Sequence, residues 1–228
     1  MDLFPAERVH AILVHPGREQ RVGVRVFIEA MTPGMFSRRF FFFLSVLFVV
    51  ACSPAPKFKS TDISSVEWGG NFSLTAHTGK SVQASDFHGK VVVMFFGYTH
   101  CPDVCAPTLV KLDQAMKRLG EDAKNVQVLF ISVDPEHDTV KQLAGFIPAF
   151  NSSFIGLTGS DKEIATVASD YKVAYGANAQ ARSGQILVDH STGILVKDRM
   201  GKIRLLVKNN FMVEELQHDI RVLLKEKS

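Results

Sequence analysis

Surplus charge is the first thing this sequence lacks. Its 228 residues carry 26 Lys and Arg against 23 Asp and Glu. Six of the basic and four of the acidic residues fall within residues 1–51, which leaves the rest of the chain at only +1. A near-neutral domain gives no footing for nucleic acid, which needs a clustered basic surface. There is no glycine-rich phosphate loop and no internal repeat, so neither sequence signature of nucleotide chemistry nor of a solenoid is present. Cysteine is scarce, at three residues in the whole chain, and the single tryptophan lies away from all of them.

The N-terminal apolar stretch is also short. Arg38 and Arg39 precede a charge-free apolar run from Phe40 to Ala51. A helix over that run rises only about 18 Å, against a bilayer core of about 30 Å. A basic flank, a short apolar core and a small residue at its end predict an export signal. The run closes in Val49-Val50-Ala51-Cys52, which resembles the lipobox of bacterial lipoproteins, where the cysteine is acylated and begins the mature chain. The alternative is an uncleaved membrane anchor with Cys52 incidental. Ser37-Arg38-Arg39 carries a faint twin-arginine resemblance, but the very apolar core favours the general export route. Residues 1–34 precede Met35, itself a possible start, and are expected to be a misassigned extension. The expected organisation is a signal over 35–52, a tether over 53–64 and one folded domain over 65–228. Such a protein is lipid-anchored to a bacterial membrane, with its domain on the extracytoplasmic, periplasmic side.

This accounting leaves Cys101 and Cys105 as the only thiols of the domain. They stand in Gly97-Tyr98-Thr99-His100-Cys101-Pro102-Asp103-Val104-Cys105, directly after the apolar, β-prone run Val91 to Phe96. Reactive groups of α/β domains collect just beyond the carboxyl end of such a strand. A thioredoxin-type redox pair has two intervening residues; three allow both thiolates to point at one soft ion. Cuprous copper suits two thiolates. A disulfide closing so small a loop would contribute little as a staple.

The periodicity predicts a thioredoxin-like α/β fold, a central mixed sheet flanked by helices with an N-terminal β-hairpin. Phe72–Thr75 and Ser81–Gln83 flank Thr78-Gly79-Lys80 as that hairpin. Val91–Phe96 and Val126–Val133 read as strands covered on both faces. Leu109, Leu112, Met116 and Leu119 recur at helical spacing, and Gly120 is a natural stop. Pro107 must lie in the first turn of that helix, so the cysteines belong to the loop and the opening turn. Thr139–Phe150 and Asp161–Tyr171 predict further helices. Ile194–Lys197 and Ile203–Val207 predict a second hairpin, and Val213 to Leu223 a closing amphipathic helix.

Imidazole complements two thiolates on copper, and three histidines compete for that place. His100 adjoins Cys101, and His137 follows the second central strand in Asp134-Pro135-Glu136-His137-Asp138. His190, in Leu187-Val188-Asp189-His190-Ser191, precedes the last hairpin, on a loop expected to face the cysteines, and is the leading candidate. His77, His88 and His218 read as surface residues.

Several of these segments resemble, in order, the motifs of the Sco/SenC family of copper-binding cytochrome c oxidase assembly proteins. They are the run 97–105 already quoted, Asp86-Phe87-His88-Gly89-Lys90, Ser132-Val133-Asp134-Pro135-Glu136-His137-Asp138-Thr139, Phe154-Ile155-Gly156-Leu157-Thr158-Gly159 and Val188-Asp189-His190-Ser191, together covering roughly residues 65–225. The resemblance implies a thioredoxin-like fold holding one copper ion, Cu(I) or Cu(II), through Cys101, Cys105 and His190. It implies Asp134 as an acid near the site and Asp189 as a partner orienting His190. It further implies a role in building the CuA site of oxidase subunit II, with a periplasmic copper donor or a thioredoxin-like reductant as a further partner. Three departures stand out: Ala106-Pro107 where the family has proline directly after the second cysteine, His137 where arginine is common, and a final turn without the usual Pro-Asp-Gly.

A thiol–disulfide oxidoreductase or redox sensor using the same pair is the rival reading. A thiol at a helix N-terminus is acidified, which suits Cys101 as nucleophile. The three-residue spacing and the lack of tryptophan before Cys101 weigh against an ordinary thioredoxin, and no peroxiredoxin pattern precedes either cysteine. Copper binding without catalytic turnover is the expectation.

Overall fold

The computed structural model describes residues 57–175, 186–187 and 193–226. The export signal, Cys52, Asp189 and His190 lie outside these residues. Ten strands occur among them: β1 (Thr61–Asp62), β2 (Ser73–Ala76), β3 (Ser81–Gln83), β4 (Val91–Gly97), β5 (Val126–Ser132), β6 (Ile155–Thr158), β7 (Val173–Ala174), β8 (Ile186–Leu187), β9 (Ile194–Lys197) and β10 (Ile203–Val207). Four α-helices accompany them: α1 (Cys105–Leu119), α2 (Val140–Phe146), α3 (Asp161–Asp170) and α4 (Val213–Lys225). Eight strands form one sheet in the order β1-β10-β9-β4-β5-β6-β2-β3, and β7 pairs with β8 separately. Strands β4, β5 and β6 run parallel, while β9 joins β4 and β2 joins β6 antiparallel. This is the expected mixed thioredoxin-like sheet.

The centre of the sheet follows from its residues. Every residue of β4 and β5 is buried, as two-sided coverage demands of near-continuous apolar strands. Alternation then divides β4 between two cores. Val91, Val93 and Phe95 face α1 and α4 through Leu109, Leu112, Leu216 and Ile220. Val92, Met94 and Phe96 face the opposite layer, with Ile164 and Val167 of α3 and the fully buried Tyr171.

Helix α1 ends at Gly120, whose φ of 59° lies in the left-handed region that glycine adopts without strain. Segment 139–150, expected as one helix, is α-helical only over α2; residues Ile147–Ala149 form a 3-10 turn with Pro148 near its start. Proline has no N–H with which to continue the α ladder. Strand β6 is not predicted by the sequence pattern. It is four residues long and includes Gly156, where a Cβ would lie 2.7 Å from Ile147 Cγ1.

The N-terminal described segment is bound to the domain. Asp219, fully buried on α4, accepts the backbone N–H groups of Lys59 and Ser60 at 2.8 Å each. Strand β1 then pairs with β10. Among the described residues no helix is long and apolar enough to cross a membrane.

Candidate metal centre

The register of β4 against β5 determines which loops form the site. Gly97 lies opposite Ser132, so the chain leaves both parallel strands at the same carboxyl edge. The loop holding Thr99, His100 and Cys101 therefore runs beside the loop from Asp134 to Asp138. Asp138 fastens one to the other. It is fully buried, and its carboxylate accepts the Thr99 N–H at 3.0 and 3.2 Å, the Thr99 hydroxyl at 2.5 Å and the Ser132 hydroxyl at 2.7 Å. Three donors on one buried carboxylate satisfy it and fix the entrance to the cysteine loop.

The Cys101 N–H donates to the Tyr98 carbonyl at 3.3 Å, and α1 begins at Cys105. The opening N–H groups of a helix have no intrahelical acceptor, and no side chain caps α1. The backbone N–H groups of Val104, Cys105 and Asp103, at and just before this helix start, act on the Cys101 sulfur and favour its ionised form. Pro107 lies in the first turn, where its missing N–H breaks no helical bond; the first such bond runs from the Thr108 N–H to the Val104 carbonyl at 3.1 Å. Cys105 turns inward onto β4. A Cβ on Gly97 would lie 2.9 Å from Cys105 Sγ and 2.9 Å from Phe130 Cε2. Glycine at the end of β4 is what admits the thiol to this depth.

Both cysteines are free thiols, and their surroundings separate them. Burial alone would raise Cys101. The hydrogen bond from the Cys105 thiol and those from the helix N-terminus outweigh it, and hold Cys101 below the ordinary thiol range. Burial, the bond it donates to Cys101, and the nearby charges of Cys101 and Asp138 push Cys105 up to about 12, against a smaller opposing bond from the Tyr98 backbone. Of the two sulfurs, Cys101 is thus the one that ionises the more readily, while Cys105 holds its proton. An ion that takes the place of the Cys105 proton would meet two sulfurs, one more readily ionised than an ordinary thiol and the other shielded from water. Such a donor set suits a soft cation rather than an oxygen-seeking one. Cu(I) fits it.

The other proposed residues divide plainly. Asp134 is half-buried and turned towards His137, whose Nδ1 lies 2.9 and 3.0 Å from its two oxygens. The carboxylate whose charge acts on Cys105 is Asp138. His100 and His137 are both exposed, with ring centroids 6.1 Å apart. His77 accepts the Gly156 N–H at Nδ1 (3.0 Å), joining the hairpin to β6, and the Nε2 of His218 lies 3.3 Å from the Lys57 carbonyl. Among the described residues no group of three His, Cys, Asp or Glu side chains is placed to hold a metal. His190, Asp189 and Cys52 lie outside them. The contributions of Gly97, Thr99, Ser132 and Asp138 went unremarked in the sequence. All four lie within the two quoted motifs, but only the register of β4 and β5 reveals that they meet.

Comparison with known proteins points to one family. The SCO1/SenC family model matches residues 60–225. Over 127 residues the chain is 42% identical to the mitochondrial protein SCO2 homolog of Bos taurus, covering 55% of this chain and 48% of that protein; it thus spans about half the length of that relative. Among solved structures, copper-bound ScoI of Bradyrhizobium japonicum matches with a TM-score of 0.60 and 36% identity, over 69% of this chain and 99% of that one. A SCO1/SenC family lipoprotein from Bacillus anthracis matches with a TM-score of 0.59 and 27% identity, over 74% of this chain and 100% of that one.

Proposed function

The chain belongs to the SCO1/SenC family, and we propose that it is a membrane-tethered, extracytoplasmic copper metallochaperone that helps assemble the CuA site of cytochrome c oxidase subunit II. In this reading it carries one copper ion on Cys101, Cys105 and His190, with Asp189 orienting His190, and is anchored through lipid on Cys52. The observation that carries the reading is the pair of free thiols at the carboxyl edge of β4, Cys105 buried against Gly97 at the start of α1 and Cys101 partly exposed beside it. Copper is here a cargo. A site meant to give up its metal gains from a thiol that reclaims its proton as the ion leaves. The copper-bound Bradyrhizobium relative and the Bacillus lipoprotein support the metal and the anchor respectively.

Titration of the reduced protein with Cu(I), beside the Cys101→Ser, Cys105→Ser and His190→Ala variants, tests this. One ion per chain, weakened in all three variants, is the expected result. Full affinity in His190→Ala would transfer the third position to another group, and no tight binding by the dithiol would end the reading.

The acidified, partly exposed Cys101 also favours a second activity, thiol–disulfide exchange with a partner's cysteines, with Cys101 as attacking sulfur and Cys105 as resolving thiol. The two activities can coexist, because copper delivery to cysteines requires them reduced. The reduction potential of the pair separates them: a value too oxidising to reduce a target disulfide leaves copper delivery alone.

A further inference from the structure

We infer that His100 and His137 form a second cation site on the rim of the dithiol, taking a divalent first-row ion, Cu2+ ahead of others, through their Nε2 atoms. The two rings belong to the two loops that the β4–β5 register brings together, and their centroids lie 6.1 Å apart with planes at 72°. An imidazole nitrogen lies about 2.0–2.1 Å from an ion such as zinc, and about 1.1 Å from its ring centre, so two imidazoles on one ion have centroids at most about 6.3 Å apart. The observed separation is inside that limit.

The hydrogen bonds also fix which nitrogen each ring offers. The Thr99 hydroxyl gives its hydrogen to Asp138 at 2.5 Å, so towards His100 Nδ1, at 3.2 Å, it can only accept. The His100 proton is therefore on Nδ1, and its Nε2 keeps the lone pair. On His137, Nδ1 faces both oxygens of Asp134. A carboxylate accepts and does not donate, so this proton too is on Nδ1. Each imidazole is thus held by a partner at Nδ1, an arrangement that orients metal-binding histidines, and each has Nε2 as its open nitrogen; on His137 the Asp134 carboxylate also favours the proton that an ion must displace there. Neither ring is used in the core: His100 is exposed and the His137 side chain is 62% exposed. Two imidazoles and open positions for water suit borderline divalent ions, among which copper binds most tightly. Asp134 acts as a positioning residue, through His137. Because His100 directly precedes Cys101, an ion held here waits beside the dithiol.

The test uses the full chain in detergent micelles with both Cys101 and Cys105 changed to Ser, so that the result does not depend on the Cu(I) reading. This protein is titrated with glycine-buffered Cu2+ and examined by electron paramagnetic resonance, then compared with His100→Ala, His137→Ala and His190→Ala in the same background. His10 and His15 are common to every sample. The site predicts nitrogen couplings from two imidazoles. It predicts affinity at least about tenfold weaker in His100→Ala and in His137→Ala, with one coupling lost in each, and no change in His190→Ala. Unchanged Cu2+ affinity in His100→Ala or His137→Ala, or loss of the signal in His190→Ala, overturns it. Both substituted side chains are exposed, and circular dichroism checks that the variants are folded.

Discussion

Replacing Asp138 should loosen the protein and acidify Cys105 at the same time. Asp138→Ala would strand the Thr99 N–H, the Thr99 hydroxyl and the Ser132 hydroxyl in a site where the carboxylate is now fully buried. Each buried donor without an acceptor costs about 1–3 kcal/mol, and local water recovers part of that, so a net loss of about 3–5 kcal/mol is expected. For a domain of this size the loss lowers Tm by roughly 6–20 °C. Asp138→Asn keeps the shape and two of the acceptor contacts but loses the charge. It should cost about 1.5–3 kcal/mol, the range for a hydrogen bond to a charged group. The sign for Cys105 is the opposite. The Asp138 charge helps to raise that thiol to about 12; without it the thiolate is less opposed, and the pKa of Cys105 falls. Urea unfolding followed by the fluorescence of the single tryptophan gives the first quantity, and thiolate ultraviolet absorbance against pH gives the second. If Asp138→Asn were as stable as the parent, or left Cys105 unmoved, the proposed clamp between the two loops would be refuted.

Three further outcomes follow from the same contacts. Iodoacetamide at neutral pH should modify Cys101 well before Cys105, because only the thiolate reacts; equal rates would contradict the separation of the two sulfurs. Cu(I) affinity should rise about tenfold per pH unit above the pKa of Cys101, since binding must displace the proton that Cys105 retains up to about pH 12; competition titrations at several pH values check the slope, and a flat profile refutes it. Gly97→Ala should destabilise the fold by about 1–3 kcal/mol through overpacking and weaken Cu(I) binding, because the new Cβ meets Cys105 Sγ and Phe130 at 2.9 Å; unfolding and metal titration read both effects.

Much of this architecture was legible because its strands are chemically extreme. The all-apolar runs of β4 and β5 admit hardly any reading but that of central strands, and Pro107 with Gly120 bounded α1 correctly. The cysteine pair announced its own chemistry through its spacing. Strand β6 was not legible: it has four residues, and Gly156 serves a contact with Ile147 that no local pattern encodes. The choice between Asp134 and Asp138 was hidden for a related reason. Both carboxylates stand in the same short motif, and which one turns inward depends on where β5 ends relative to β4. The pairing of His100 with His137 across two loops has the same origin. These are consequences of register between segments more than thirty residues apart in sequence, and periodicity within one segment says nothing of them.

X-ray absorption at the copper edge of Cu(I)-loaded protein tests the central claim most directly. Two sulfur ligands and one nitrogen ligand, with both sulfurs lost after Cys101 and Cys105 are alkylated, is the result this account predicts. Copper bound without sulfur, or bound equally well to the alkylated protein, would contradict it.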